Sequence, residues 1–123
     1  MRIAAALIAA AALASQAHAA SAAVPREIIG QWCLVKQEDR STSYYASRGA
    51  REQCSDEVLV IKTDRYEGSE FVCRYTKIKN DDSTSQIDSK CDGEGWTWTQ
   101  HATISLSKGR LVVKVRQTSK ERR

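Results

Sequence analysis

The sequence has little of what large enzymes and membrane proteins require. It carries one proline, one phenylalanine, one methionine, two histidines and six glycines in 123 residues. A single proline excludes a proline-rich disordered chain. The few glycines form no phosphate-cradling loop of the G-x-x-x-x-G-K type, which excludes a P-loop nucleotide site. The longest apolar run, residues 3–14, is well short of the roughly 20 residues that span a bilayer. Mean hydropathy is -0.48. No segment sustains an apolar period of 3.6, so no long amphipathic helix is expected. The length fits one domain and leaves no room for a two-domain cleft.

What is present begins with an export signal. Met1-Arg2 is a charged start, residues 3–14 are apolar, and Ala17 and Ala19 stand at -3 and -1 of a cut after Ala19. This is the pattern of a secretory signal peptide over residues 1–19. Its alanine-rich style points to a bacterial envelope protein, periplasmic or secreted. No cysteine follows the cut directly, which argues against a lipid anchor. Residues 20–27, with Pro25, read as a flexible lead-in, 28–117 as one β domain, and 118–123 as a disordered basic tail.

The even set Cys33, Cys54, Cys73 and Cys91 in an exported small domain reads as two disulfides. Zinc ligation usually wants close pairs, and these gaps are about 20 residues each. Strands are expected at 28–35, 57–62, 70–79, 86–91, 96–107 and 111–117. Short strands punctuated by polar turns specify an all-β fold, a small antiparallel barrel or strongly curved sheet of six to eight strands.

Register follows from the turns. Folding about Lys108-Gly109 sets Leu106 opposite Leu111, Ile104 opposite Val113 and Ala102 opposite Val115. All six then face the core, and a one-residue slip would expose the whole set. Gln100 interrupts that apolar face. Folding about Asp82 sets Cys73 opposite Cys91, which favours the bridges Cys73–Cys91 and Cys33–Cys54. Two other connectivities remain open from sequence. The stretch 36–53 is the longest non-strand segment, and ordered loops of that length tend to be functional. Tyr44, Tyr45 and Arg48 are its candidate contact residues.

Gly30-x-Trp32 in the first strand of a small exported β-protein resembles the Gly-x-Trp opening of the lipocalins. It is similar, too, to the first strand of the small bacterial metalloprotease inhibitors that share the eight-stranded barrel. The resemblance covers about three residues plus the β layout. It implies a barrel floor closed by Trp32, with a late-strand arginine, Arg110 or Arg116, packed over it. In cysteine layout the chain resembles small uncharacterised exported proteins of α-proteobacteria.

No catalytic set is visible. His101, the one histidine after the signal, falls on the wet face of its strand beside Arg116, with no Ser, Cys or Asp partner evident. The turn around Asp88, Asp92 and Glu94 offers oxygens but lacks the EF-hand spacing for calcium. No metal or cofactor is expected. Charge placement is the most distinctive feature: Arg110, Lys114 and Arg116 alternate with core-facing Leu111, Val113 and Val115. A shared basic face attracts anionic partners. In the envelope these are an anionic polymer or an acidic exported protein rather than nucleic acid. The expected function is therefore a non-enzymatic, monomeric binding or inhibitor module using a loop or the basic face. The competing expectation is a carrier of a small apolar ligand in a barrel lined by Trp32, Trp96 and Trp98.

Overall fold

The computed structural model describes residues 22–49, 54 and 57–123. The expected signal peptide, 1–19, lies outside the described residues. Among the described residues a short 3-10 turn, Arg26–Ile28, precedes nine strands. They are β1 Gly30–Gln37, β2 Thr42–Ser47, β3 Val58–Ile61, β4 Arg65–Glu67, β5 Val72–Asp81, β6 Thr84–Gly93, β7 Trp96–Ser107, β8 Arg110–Gln117 and β9 Glu121–Arg122. Strands β1 to β8 close into an antiparallel barrel, and β9 adds to β7. No helix among the described residues is long and apolar enough to cross a membrane.

Around the wall the order is β6-β5-β4-β3-β1-β2-β8-β7, closed by β6 pairing with β7. From β3 to β8 each strand pairs with the next. The meander breaks once. β1 lies between β2 and β3, so β2 and β3 are not neighbours in the wall, and β2 closes against β8. The resemblance to lipocalins thus holds for an eight-stranded antiparallel barrel, while the strand order departs from the plain up-and-down sequence of that architecture.

Alternation decides which side chains fill the interior. Ser85, Ile87, Ser89 and Cys91 of β6 are buried, as are Trp98, Gln100, Ala102 and Ile104 of β7 and Leu111 and Val113 of β8. The expected pairs Leu106 with Leu111, Ile104 with Val113 and Ala102 with Val115 all form. Lys108 and Gly109 both take positive φ, 53° and 79°, the two-residue turn whose twist suits a hairpin. The β5–β6 hairpin sets Cys73 against Cys91 and Tyr75 against Ser89. Both expected disulfides are present, Cys33–Cys54 and Cys73–Cys91.

Three expectations are corrected. The stretch 36–53 is no single long loop, because Thr42–Ser47 forms β2 between β1 and β8. Its alternation is hidden because small and polar residues occupy both faces. The lead-in is not free: Val24 and Ile28 are buried, and Asn80 Nδ2 donates to Ala23 O at 2.8 Å. Trp32 Nε1 donates to Ile28 O at 2.9 Å. These contacts plug one end of the barrel, its floor. The tail is not disordered either. Residues 118–123 extend along the upper edge of β7, with Thr118 N donating to Thr99 O and Arg123 N to Gly95 O.

Candidate functional site

The outer surface of β5 to β8 is a grid of cations. One row crosses four strands, Lys77–Asp88–His101–Arg116. The row toward the floor is Lys79–Gln86–Thr103–Lys114, and the row toward the opposite end, the mouth, is Arg74–Lys90–Thr99. Neighbouring strands lie about 5 Å apart and rows two residues apart about 7 Å. Arg74, Lys77, Lys79, Lys90, Arg110, Lys114 and Arg116 are all exposed. None of the seven forms an ion pair among the described residues. Their outward direction follows from strand parity, since Cys73, Cys91, Leu111 and Val113 beside them face the core.

Two shallow depressions mark this surface, of about 650 and 530 Å³. They share Lys90, Thr99 and Thr118. The first also draws on Arg74 and Asp92, the second on His101 and Arg116. Arg110, Lys114 and Arg116 are legible in the alternation of β8, whereas Arg74 and Lys90 are not among the expected site residues. Their signal was available once Cys73 was set against Cys91, because the adjacent residues in each strand must then point outward.

His101 does have a partner, which corrects the expectation of none. Its Nδ1 lies 2.6 Å from Asp88 Oδ1. A carboxylate only accepts, so Nδ1 carries the proton in this contact. Among the described residues no hydroxyl hydrogen-bonds the imidazole. The acidic turn does not converge on a cation: Asp88 faces His101, and Asp92 pairs with Arg123 at 3.3 Å. No group of three or more His, Cys, Asp or Glu side chains among the described residues is placed to hold a metal ion.

The barrel interior holds a cup of about 160 Å³. Of the three tryptophans only Trp98 lines it. Trp32 belongs to the floor, and Trp96 is half-buried at the rim. Leu59, Phe71, Ile104 and Val113 supply apolar wall. The break in apolar alternation at Gln100 turns out to be a polar hub. Gln100 Oε1 accepts from Trp98 Nε1 at 3.0 Å and from Gln117 Nε2 at 2.9 Å, and its Nε2 donates to the Tyr66 hydroxyl at 2.7 Å. Burial pushes the Tyr66 phenol up to about 12, opposed by the contacts to Gln100 and Ser89. Ser89 Oγ is buried beside it without a well-formed hydrogen bond.

The loop residues do not form one contact surface. Tyr45 faces the cup. Tyr44 points outward, its hydroxyl donating to Glu38 Oε1 at 2.9 Å, with Lys36 Nζ 5.5 Å from its ring centre. That bond to Glu38 raises the Tyr44 pKa. Arg48 reaches back to Gln31 through both backbone and side chain. Arg110 and Arg116 are exposed and stack on no ring among the described residues. The cations stacked on tryptophan are instead Lys120, 4.7 Å from the Trp98 ring centre, and Arg122, 4.7 Å from that of Trp96. No family model matches this chain, and no curated protein or solved structure matches it either.

Proposed function

We propose that this protein is a non-enzymatic, exported binding module of the bacterial envelope, and that the outer face of β5 to β8 takes an anionic polymer such as lipopolysaccharide or an acidic polysaccharide. One observation carries the reading: seven exposed cations share a face of four neighbouring strands without ion-pair partners among the described residues. Cations held apart by a rigid sheet repel one another, and a polyanion relieves that repulsion. The two disulfides suit an oxidising compartment. The depressions around Lys90 and Thr99 add hydroxyl donors and acceptors to the charge.

The test is affinity for lipopolysaccharide and for an acidic polysaccharide at low and high salt. Each exposed cation near an anionic surface contributes about 1 kcal/mol. Replacing Arg110, Lys114 and Arg116 together by Gln is expected to weaken binding by about 100-fold at low salt. The difference should shrink at high salt as the Debye length contracts. Equal binding by both proteins would make the basic face a solubility device.

A second reading, carriage of a small ligand, is favoured by the cup beneath Trp98. Its volume is well below the roughly 300–1,000 Å³ of ordinary ligand pockets. It suits a benzene-sized molecule rather than a fatty acid. A saturable change in tryptophan emission on adding such a molecule is the expected signature, and its absence rejects this second reading.

A further inference from the structure

The upper part of β7 has an edge that β8 does not reach. β8 pairs with β7 only from Gln100 onward. Beyond it, residues 118–123 take over that edge, with Trp96 opposite Arg122 and Thr97 opposite Glu121. This segment is exposed throughout. It is held by backbone bonds at Thr118 and Arg123, by the Thr118 hydroxyl, which accepts from Thr99 N and bonds Thr99 Oγ1, by Thr97 Oγ1 donating to Glu121 O, and by the half-exposed pair Arg123–Asp92. Exposed contacts of this kind are individually weak, so the segment belongs to the low-stability end of the molecule.

The side chains it presents follow a pattern. Lys120 and Arg122, two residues apart, lie over Trp98 and Trp96, also two residues apart. Alternate residues of an extended strand share a face, so the match is one of strand against strand. Asp92 adjoins the contact, in a depression that Arg74 and Lys90 also line. Asp92 pairs with Arg123, and Glu94 stands in the β6–β7 turn. Glu70 is close enough to Glu94 that its carboxyl pKa is raised. Indole faces and carboxylates both favour ammonium and guanidinium groups.

We infer that the upper edge of β7, with Trp96, Trp98 and Asp92, is a docking site for an extended basic peptide of another protein. That peptide adds as a strand and places Lys or Arg at alternate positions over the two indoles, and residues 118–123 are the intramolecular occupant it displaces. Strand addition of this type takes its affinity from backbone bonds and its selectivity from alternate side chains. The site adjoins the basic face, because Arg74 and Lys90 line the same depression as Asp92, Trp98 and Thr118, and it takes ligands of the opposite charge.

The experiment uses a synthetic peptide with the sequence of residues 118–123, titrated against the intact chain and against a chain ending at Gln117, with tryptophan emission as the readout. A tethered occupant competes at an effective concentration in the millimolar range. The shortened chain is therefore expected to bind the peptide at least about tenfold more tightly than the intact one. A peptide with Gln in place of its Lys and Arg residues should not bind. No saturable binding by a shortened chain that still melts cooperatively overturns the proposal. If the shortened chain fails to fold, the full-length Lys120→Gln/Arg122→Gln variant retains the backbone pairing and replaces it. That variant is expected to take up the peptide more tightly than the intact chain, and equal or absent binding overturns the proposal. Should the intact chain dimerise with rising concentration while the shortened chain stays monomeric, the occupant is a second copy and the assignment to another protein falls.

Discussion

The two halves of the barrel wall are built differently. β5 to β8 run for 10, 10, 12 and 8 residues, joined by two-residue turns. β1 to β4 run for 8, 6, 4 and 3. On the long half the seven outward Lys and Arg side chains form no ion pair among the described residues. On the short half Arg65 bonds Glu67 and Asp64 and Lys62 also reaches Glu67, while Lys36 of β1 lies over the Tyr44 ring. The Arg65 guanidinium accordingly holds the Glu67 carboxyl below its usual range. The contrast separates two uses of charge. Ion pairs sit on the short, irregular wall, and the cations of the long, regular wall, without ion pairs among the described residues, are those proposed above to meet an anionic polymer.

Each half carries one disulfide, and removing them in turn gives the largest expected effects. The bridges span 21 and 18 residues, so chain entropy alone assigns about 3 kcal/mol to each. Cys73 and Cys91 are also buried, at 0% and 3% exposure, and face each other within a long hairpin. Cys73→Ala/Cys91→Ala therefore adds a cavity to the lost constraint, and its melting temperature should fall further. Cys33–Cys54 instead ties β1 to a residue just ahead of β3. Its removal should speed hydrogen exchange in β1 to β3 before β5 to β8. Uniform acceleration across both halves would show that the wall behaves as one unit.

A smaller effect is expected where the halves are stitched across the lumen, at Tyr66 of β4 and Gln100 of β7. The folded Tyr66 pKa is raised to about 12 by burial. Its contribution is therefore fully present below the unfolded phenol pKa of about 10 and is lost as pH climbs from there through the folded value. Each pH unit in that window removes about 1.4 kcal/mol, so the loss approaches about 3 kcal/mol near pH 12. Tyr66→Phe should lower stability by about 1–3 kcal/mol at neutral pH, because Gln100 loses a buried partner. It should also flatten this part of the alkaline decline. Urea unfolding at pH 8, 10 and 11 checks both, and an unchanged alkaline slope would remove Tyr66 as its source.

The smallest effect belongs to the basic face. Replacing Arg110, Lys114 and Arg116 by Gln should change stability by less than about 0.5 kcal/mol each, since exposed substitutions without partners cost little. Arg65→Gln should cost more than any of them, because it removes the ion-pair partner of Asp64 and leaves Glu67 with Lys62 alone. Urea midpoints for the four single variants test the ranking. A reversed order would erase the distinction between the halves.

Legibility in the sequence followed the same division. The hairpins of the long half announce themselves through apolar alternation and turns such as Lys108-Gly109, so their register, one disulfide and the outward cations of β8 could be read directly. Strands β2 and β4 could not. Thr42–Ser47 has little apolar contrast between its faces, and Arg65–Glu67 is too short to show a period. The partner of His101 was hidden for a related reason. Asp88 lies on another strand, and only the β6–β7 register sets it opposite His101.

By itself the sequence determined the all-β class, the two-disulfide framework and the direction in which β8 points its cations. These rest on local periodicity and on contacts within hairpins, where neighbours in space are near in the chain. Tertiary structure alone decided how the sheet closes. β1 sits between β2 and β3, β2 meets β8, Gln100 becomes a buried hub, and residues 118–123 lie along β7 with their cations over Trp96 and Trp98. Each of these joins residues far apart in sequence. The free energy of such contacts comes from burying surface that no single strand can bury alone, so no local pattern encodes them.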